Sequence, residues 1–130
     1  MTNNDRRAAQ VLIAKARDDA AAAGALGERD EVSEAIVGFH AQQAAEKALK
    51  AVLSARSVPY EFRHDIAYLC ELLADDGVAL PADVKQADVL NPWAAEFRYE
   101  DPPSEEPLDR AAAVRLATTV VEWAEEQLDH

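Results

Sequence analysis

The stretch GFHAQQAAEKALKAVLSAR, Gly38 to Arg56, has no proline and no internal glycine and is dense in alanine. Helix is the only conformation that suits it. At about 100° per residue, His40, Gln43, Glu46, Lys47 and Lys50 share one side. Val37, Ala41, Ala44, Ala45, Ala48, Leu49, Ala51, Val52 and Ala55 share the other. Ile36 and Phe39 lie just before the polar patch on its own side, and Leu53 just after it. A solvated helix face with a Glu46–Lys50 pair accounts for the polar residues alone. The large apolar neighbours point instead to a cleft or a subunit interface.

Around this helix the chain offers four more helical segments. The first begins near Asn3–Asp5, which can cap it, and places Ala9, Leu12, Ile13, Ala16 and Ala20 on one stripe before Gly24 and Gly27 end it. The long second segment runs from about Asp30 to Arg56 and is broken around Pro59. Asp65 is a good N-cap for the third, DIAYLCELLADD, which aligns Ile66, Leu69, Cys70 and Leu73 and stops at Gly77. A fourth begins near Pro81 and is broken at NPW, where Pro92 suits the first turn of a new helix carrying Leu90, Trp93, Ala94 and Phe97. The fifth spans about Leu108 to Gln127, with Ala113, Leu116, Val120 and Trp123 facing inward. YEDPPSEEP before it reads as an exposed connection.

No strand-like alternation and no repeat interrupts this pattern. The 130 residues, 49% of them apolar and with four glycines and few aromatics, predict one all-α domain, 1–130, an antiparallel bundle of about five helices.

The net charge of −12 opposes unspecific attraction to nucleic acid. It is unevenly spread: Glu100 to His130 carries nine acids and two arginines, whereas Phe39 to Tyr68 carries four Lys/Arg and three acids, with two of the three histidines. An anionic ligand belongs in the second region. Cys70 is alone, so no internal disulfide forms. Its place on an apolar stripe suits a buried small hydrophobe better than a nucleophile. MTNNDRRAAQ has no apolar h-region and no segment is long enough to span a bilayer, so a cytoplasmic protein with no membrane or DNA partner is expected. His40, His64 and His130 make no metal-ligand spacing, and no phosphate-cradling glycine loop is present, so no metal or cofactor is expected. The adjacent acids Asp18–Asp19, Asp75–Asp76, Glu105–Glu106 and Glu125–Glu126 read as solvated charge at helix ends.

FRHDIAYL is the remaining chemical cluster. Arg63 and His64 precede a helix start, where an imidazole can move protons and a guanidinium can hold phosphate. The same residues also serve as an ordinary solvated helix start capped by Asp65.

Taken in order, QQAAEKALKA, HDIAYL and the Arg98–Tyr99 of LNPWAAEFRYED resemble the HEPN domain family, the higher eukaryotes and prokaryotes nucleotide-binding domain. The resemblance extends over nearly the whole chain. It implies an all-α bundle, commonly a homodimer, often paired with a minimal nucleotidyltransferase as a toxin–antitoxin module. By resemblance, Gln43, Glu46, Lys47, Lys50, Asp65, Arg98 and Tyr99 form a ligand site. Lys47, Lys50 and Arg98 would meet phosphate, Gln43 would hydrogen-bond, and Tyr99 would stack on a base of a nucleotide or RNA.

Many relatives are metal-independent ribonucleases that use an arginine, four to six intervening residues and a histidine. Here Arg63 is directly adjacent to His64 and Arg56 precedes it with seven residues between, so that spacing is not met. Ile66 stands where some relatives carry a modified tyrosine, and Glu100 where the family usually has proline. A ribonuclease reading takes His64 as base, with Arg63 or Arg98 as the phosphate cation. A third reading is a helical interaction module with no ligand.

Overall fold

A computed structural model describes residues 2–94 and 108–129. Its helices are α1 (Asn3–Gly27), α2 (Glu34–Ala55), α3 (Ile66–Asp75), the single turn α4 (Ala82–Lys85) and α5 (Arg110–Leu128), with a 3-10 helix, Gln86–Trp93, following α4. The described residues contain no strand, so the all-α reading holds.

Local chemistry explains the boundaries. Thr2, rather than Asn3–Asp5, caps α1: its hydroxyl accepts from the Asp5 amide, and the Asp5 carboxylate accepts from the Thr2 amide. Ser33 caps α2 by accepting from the Ile36 amide, so the helix starts at Glu34 and not near Asp30. Asp65 and Asp109 cap α3 and α5 in the same way. Gly77 ends α3 in the left-handed region, φ 87°, where a glycine carries no Cβ penalty.

The fourth segment departs from its sequence reading. It is not a helix broken at Pro92. One α turn passes directly into the 3-10 helix, which contains Pro92 and brings Ala87, Leu90 and Trp93 into the core. Ala94 is the last described residue there, and Phe97 lies outside the described residues.

α2 is the centre of the bundle. It packs against α1, α3, α5 and the 3-10 helix, and 14 of its 22 residues are buried. Alanines 41, 44, 45 and 48 are fully buried and let backbones approach closely. Gly38 permits the closest approach: a Cβ built there would lie 2.7 Å from Trp93 Cδ2. Leu53, expected at the edge of a groove, is fully buried in the core. α1 runs antiparallel to α5, because Arg17 meets Glu125 at one end and Arg110 meets the carbonyls of Gly27 and Arg29 at the other.

Candidate functional site

The polar side of α2 is not a solvated face. Gln42, Gln43, Glu46 and Lys50 are all buried, with Glu46 2% exposed. A buried polar group needs a partner, and these supply one another. Gln43 Nε2 donates to Gln42 Oε1 at 2.7 Å, and Gln42 Nε2 donates to Glu46 Oε1 at 2.9 Å. Lys50 Nζ donates to Glu46 Oε2 at 2.9 Å. His64, on the loop before α3, places Nδ1 2.9 Å from Glu46 Oε1. Every buried side-chain nitrogen and oxygen among the described residues has a partner.

Glu46 is the hub. Burial alone would raise its carboxyl, but the hydrogen bonds from Gln42, Lys50 and His64 outweigh that and hold it below the usual glutamate range. An ionised carboxylate on Nδ1 keeps a proton on that nitrogen. The imidazole is then oriented with Nε2 outward. The His64 side chain is 64% exposed, and Nε2 has no hydrogen-bond partner among the described residues.

A second carboxylate repeats the arrangement on the α1 side. Asp19 Oδ1 lies 2.9 Å from His40 Nδ1, and Asp19 Oδ2 accepts from Lys47 Nζ at 2.6 Å. Asp19 is therefore no solvated helix-end charge: its side chain is 13% exposed between α1 and α2. The single patch read from the sequence is thus two clusters, each a carboxylate holding a histidine and a lysine. Lys47 belongs to one and Lys50 to the other. Phe39 packs edge-on against His40, and Ile36 is exposed.

The loop carrying His64 is built on Tyr68 and Asp65. Tyr68 Oη accepts from the Glu61 amide at 3.0 Å, and the Arg63 guanidinium stacks over the Tyr68 ring, 4.0 Å from its centre. Arg63 also meets Asp65 and Glu61 at 3.3 and 3.5 Å. Asp65 accepts from the Tyr68 amide, Arg63 and the Asn91 amide group. Its slight burial would raise the carboxyl, but these donors lower it below the usual aspartate range. Asn91 also accepts from the Ile66 amide, tying the 3-10 helix to the start of α3. Lys50 Nζ lies over the Tyr60 ring, 5.6 Å from its centre.

The structure thus brings Gln43, Glu46, Lys50 and His64 into one network and sets Arg63 and Asp65 on the adjoining loop. Arg98 and Tyr99 lie outside the described residues. Gln42 and Asn91 carry no signal that the sequence reading uses, and Asp19 reads there only as solvated charge. The i,i+4 spacing of Gln42 and Glu46 is the one signal that could have found the first. Cys70 is buried, and desolvation pushes its thiol up to about 11, which leaves it protonated and unreactive at neutral pH. Among the described residues no group of three or more His, Cys, Asp or Glu is placed to hold a metal ion, and no helix is long and apolar enough to cross a membrane.

The family described as HEPN domain matches residues 9–127. The crystal structure of TT1696 from Thermus thermophilus is similar, with a TM-score of 0.69 and 33% identity over 92% of this chain and 97% of that one. The crystal structure of ST0689, an archaeal HEPN homologue, gives a TM-score of 0.70 over the same shares at 20% identity, a likeness of fold. No curated protein matches this chain.

Proposed function

The chain belongs to the HEPN domain family, and we propose that it binds a nucleotide or RNA phosphate at the outward edge of His64, as a homodimer partnering a nucleotidyltransferase in a toxin–antitoxin-type pair. One observation carries the ligand half of this reading. His64 is fixed through Nδ1 to a buried carboxylate while most of its ring stays open. A histidine serving the core alone would bury its ring, whereas one serving a ligand is held from behind and presented in front. Lys47 and Lys50 are taken up by carboxylates and largely covered, whereas most of His64 is open, so its outer edge, with a proton on Nε2 as well as Nδ1, is the group offered to an anion. The partner half rests on family membership.

The same pair supports a second reading, metal-independent RNA cleavage. A carboxylate-oriented imidazole is a general base. His64 Nε2 would take the proton of a ribose 2′-hydroxyl, the 2′-oxygen would attack phosphorus, and the P–O5′ bond would break to leave a 2′,3′-cyclic phosphate, the 5′-oxygen taking a proton from solvent water. Arg63 would have to act from its perch on Tyr68.

Both readings are tested by incubating labelled cellular RNA with the protein in excess chelator and measuring binding and cleavage. Binding that falls in His64→Ala supports the first reading. Cleavage lost by about 100-fold or more in that variant supports the second. Absence of both in folded protein rejects both. Light scattering at micromolar concentration tests the dimer, and a monomer rejects it.

A further inference from the structure

Phe62 has 101% of its extended-chain exposure, the most of any large apolar side chain among the described residues. It stands two residues before His64, so their Cα atoms lie within about 7 Å whatever the local backbone. Its position is not slack chain. On one side the Glu61 amide is bonded to Tyr68 Oη, and on the other the Arg63 guanidinium rests on the Tyr68 ring. Both neighbours are fastened to one phenol, and the residue between them projects from a fixed base.

The aromatic rings nearby divide sharply. Tyr60 carries Lys50 over its face, and Tyr68 carries Arg63. Phe62 has no aromatic or cationic partner among the described residues. Its sequence neighbours Glu61, Arg63, His64 and Asp65 are all polar. The residues on either side of it in the chain, Glu61 and Arg63, are charged and exposed. A lone exposed aromatic on an anchored loop, beside a hydrogen-bonding group, matches one flat, polar-edged ligand.

Resting on the RNA-binding reading above, we infer that Phe62 is the stacking platform for an unpaired base whose phosphate meets His64, so that the site takes single-stranded rather than duplex RNA. A base stacked on a side chain must first leave its helix. The net charge of −12 strengthens the argument. Phosphate neutralisation cannot supply the affinity of so acidic a chain, so a base-stacking contact and a held imidazole have to. Salt dependence is correspondingly shallow.

The test is equilibrium binding of a short labelled oligoribonucleotide, single-stranded and as a duplex, to the wild type, Phe62→Leu, Phe62→Trp and His64→Ala. The exposed ring takes no part in the core, so the two Phe62 substitutions leave the fold intact. Phe62→Leu is expected to weaken single-strand binding by about ten-fold or more, Phe62→Trp to retain it, and the duplex to bind about ten-fold more weakly. If Phe62→Leu or the duplex binds like the wild-type single-strand complex while His64→Ala weakens it, the platform is refuted and RNA binding stands. If the wild type binds neither RNA, both fall together. Dissociation of a wild-type dimer by Phe62→Leu would make the ring a protein contact and overturn the inference.

Discussion

Glu46 Oε1 and His64 Nδ1 come from positions 18 residues apart and lie 2.9 Å from each other, fastening the loop before α3 to the side of α2. The two partners do not contribute alike, because one is buried and the other open.

Glu46→Ala leaves Lys50, its side chain 10% exposed, and fully buried Gln42 without their acceptor. Removing one partner from a buried ion pair costs about 3–5 kcal/mol, to be read as a lower urea midpoint. His64→Ala removes a surface contact and costs under about 1 kcal/mol, while the RNA binding proposed above is expected to fall. Equal losses of stability would contradict this division of labour.

Acid should unfold the protein through the same carboxylate. Glu46 is held below its ordinary range in the folded state, so the unfolded chain binds its proton at higher pH. Its stabilisation is complete above the ordinary glutamate value and disappears as pH falls through the folded one. Asp65 acts in the same sense. Urea midpoints are expected to fall between about pH 5 and pH 3, more gently in Glu46→Gln. Identical profiles for the two proteins would exclude Glu46 as the source.

Gly38→Ala drives a methyl group into the Trp93 ring, whose Cδ2 lies 2.7 Å from the Cβ position. Overpacking of this kind costs about 1–3 kcal/mol. Combined with Trp93→Leu the cost should shrink, because the smaller side chain vacates the space. A strictly additive double variant would show that the two sites do not touch.

Ion pairs at different depths should also differ. Asp19→Ala strips Lys47 and His40, whose side chains are 26% and 29% exposed, and is expected to cost about 1.5–3 kcal/mol. Arg17→Ala breaks a pair whose arginine is 54% exposed and should cost under about 1 kcal/mol. The comparison fails if thermal melts rank them the other way.

Much of the fold was legible in the sequence because helix periodicity and caps are local. α1, α3 and α5 follow their apolar stripes, and Asp65 caps where its type and place predicted. The nature of α2's polar side was not legible. Periodicity reports which residues share a side, not whether that side is wet. Gln42, Gln43, Glu46 and Lys50 can be buried only because each finds a partner, one of them His64 beyond a loop. Asp19 was misread for the same reason: its partners His40 and Lys47 lie on another helix. Asn91 bonds Asp65 and the Ile66 amide across 25 or 26 residues, a relation no local pattern carries.

Arg110 joins two distant parts of the chain. Its guanidinium donates to the carbonyls of Gly27, Arg29 and Val32, which lie 83, 81 and 78 residues earlier. The corner between α1 and α2 also has hydrogen bonds of its own, from the Arg29 amide to the Leu26 carbonyl and from the Val32 amide to the Arg29 carbonyl. What α5 adds on docking is a contact of long sequence separation, the kind whose closure costs the most chain entropy. The opening hairpin is therefore clasped by a helix from the far end of the sequence.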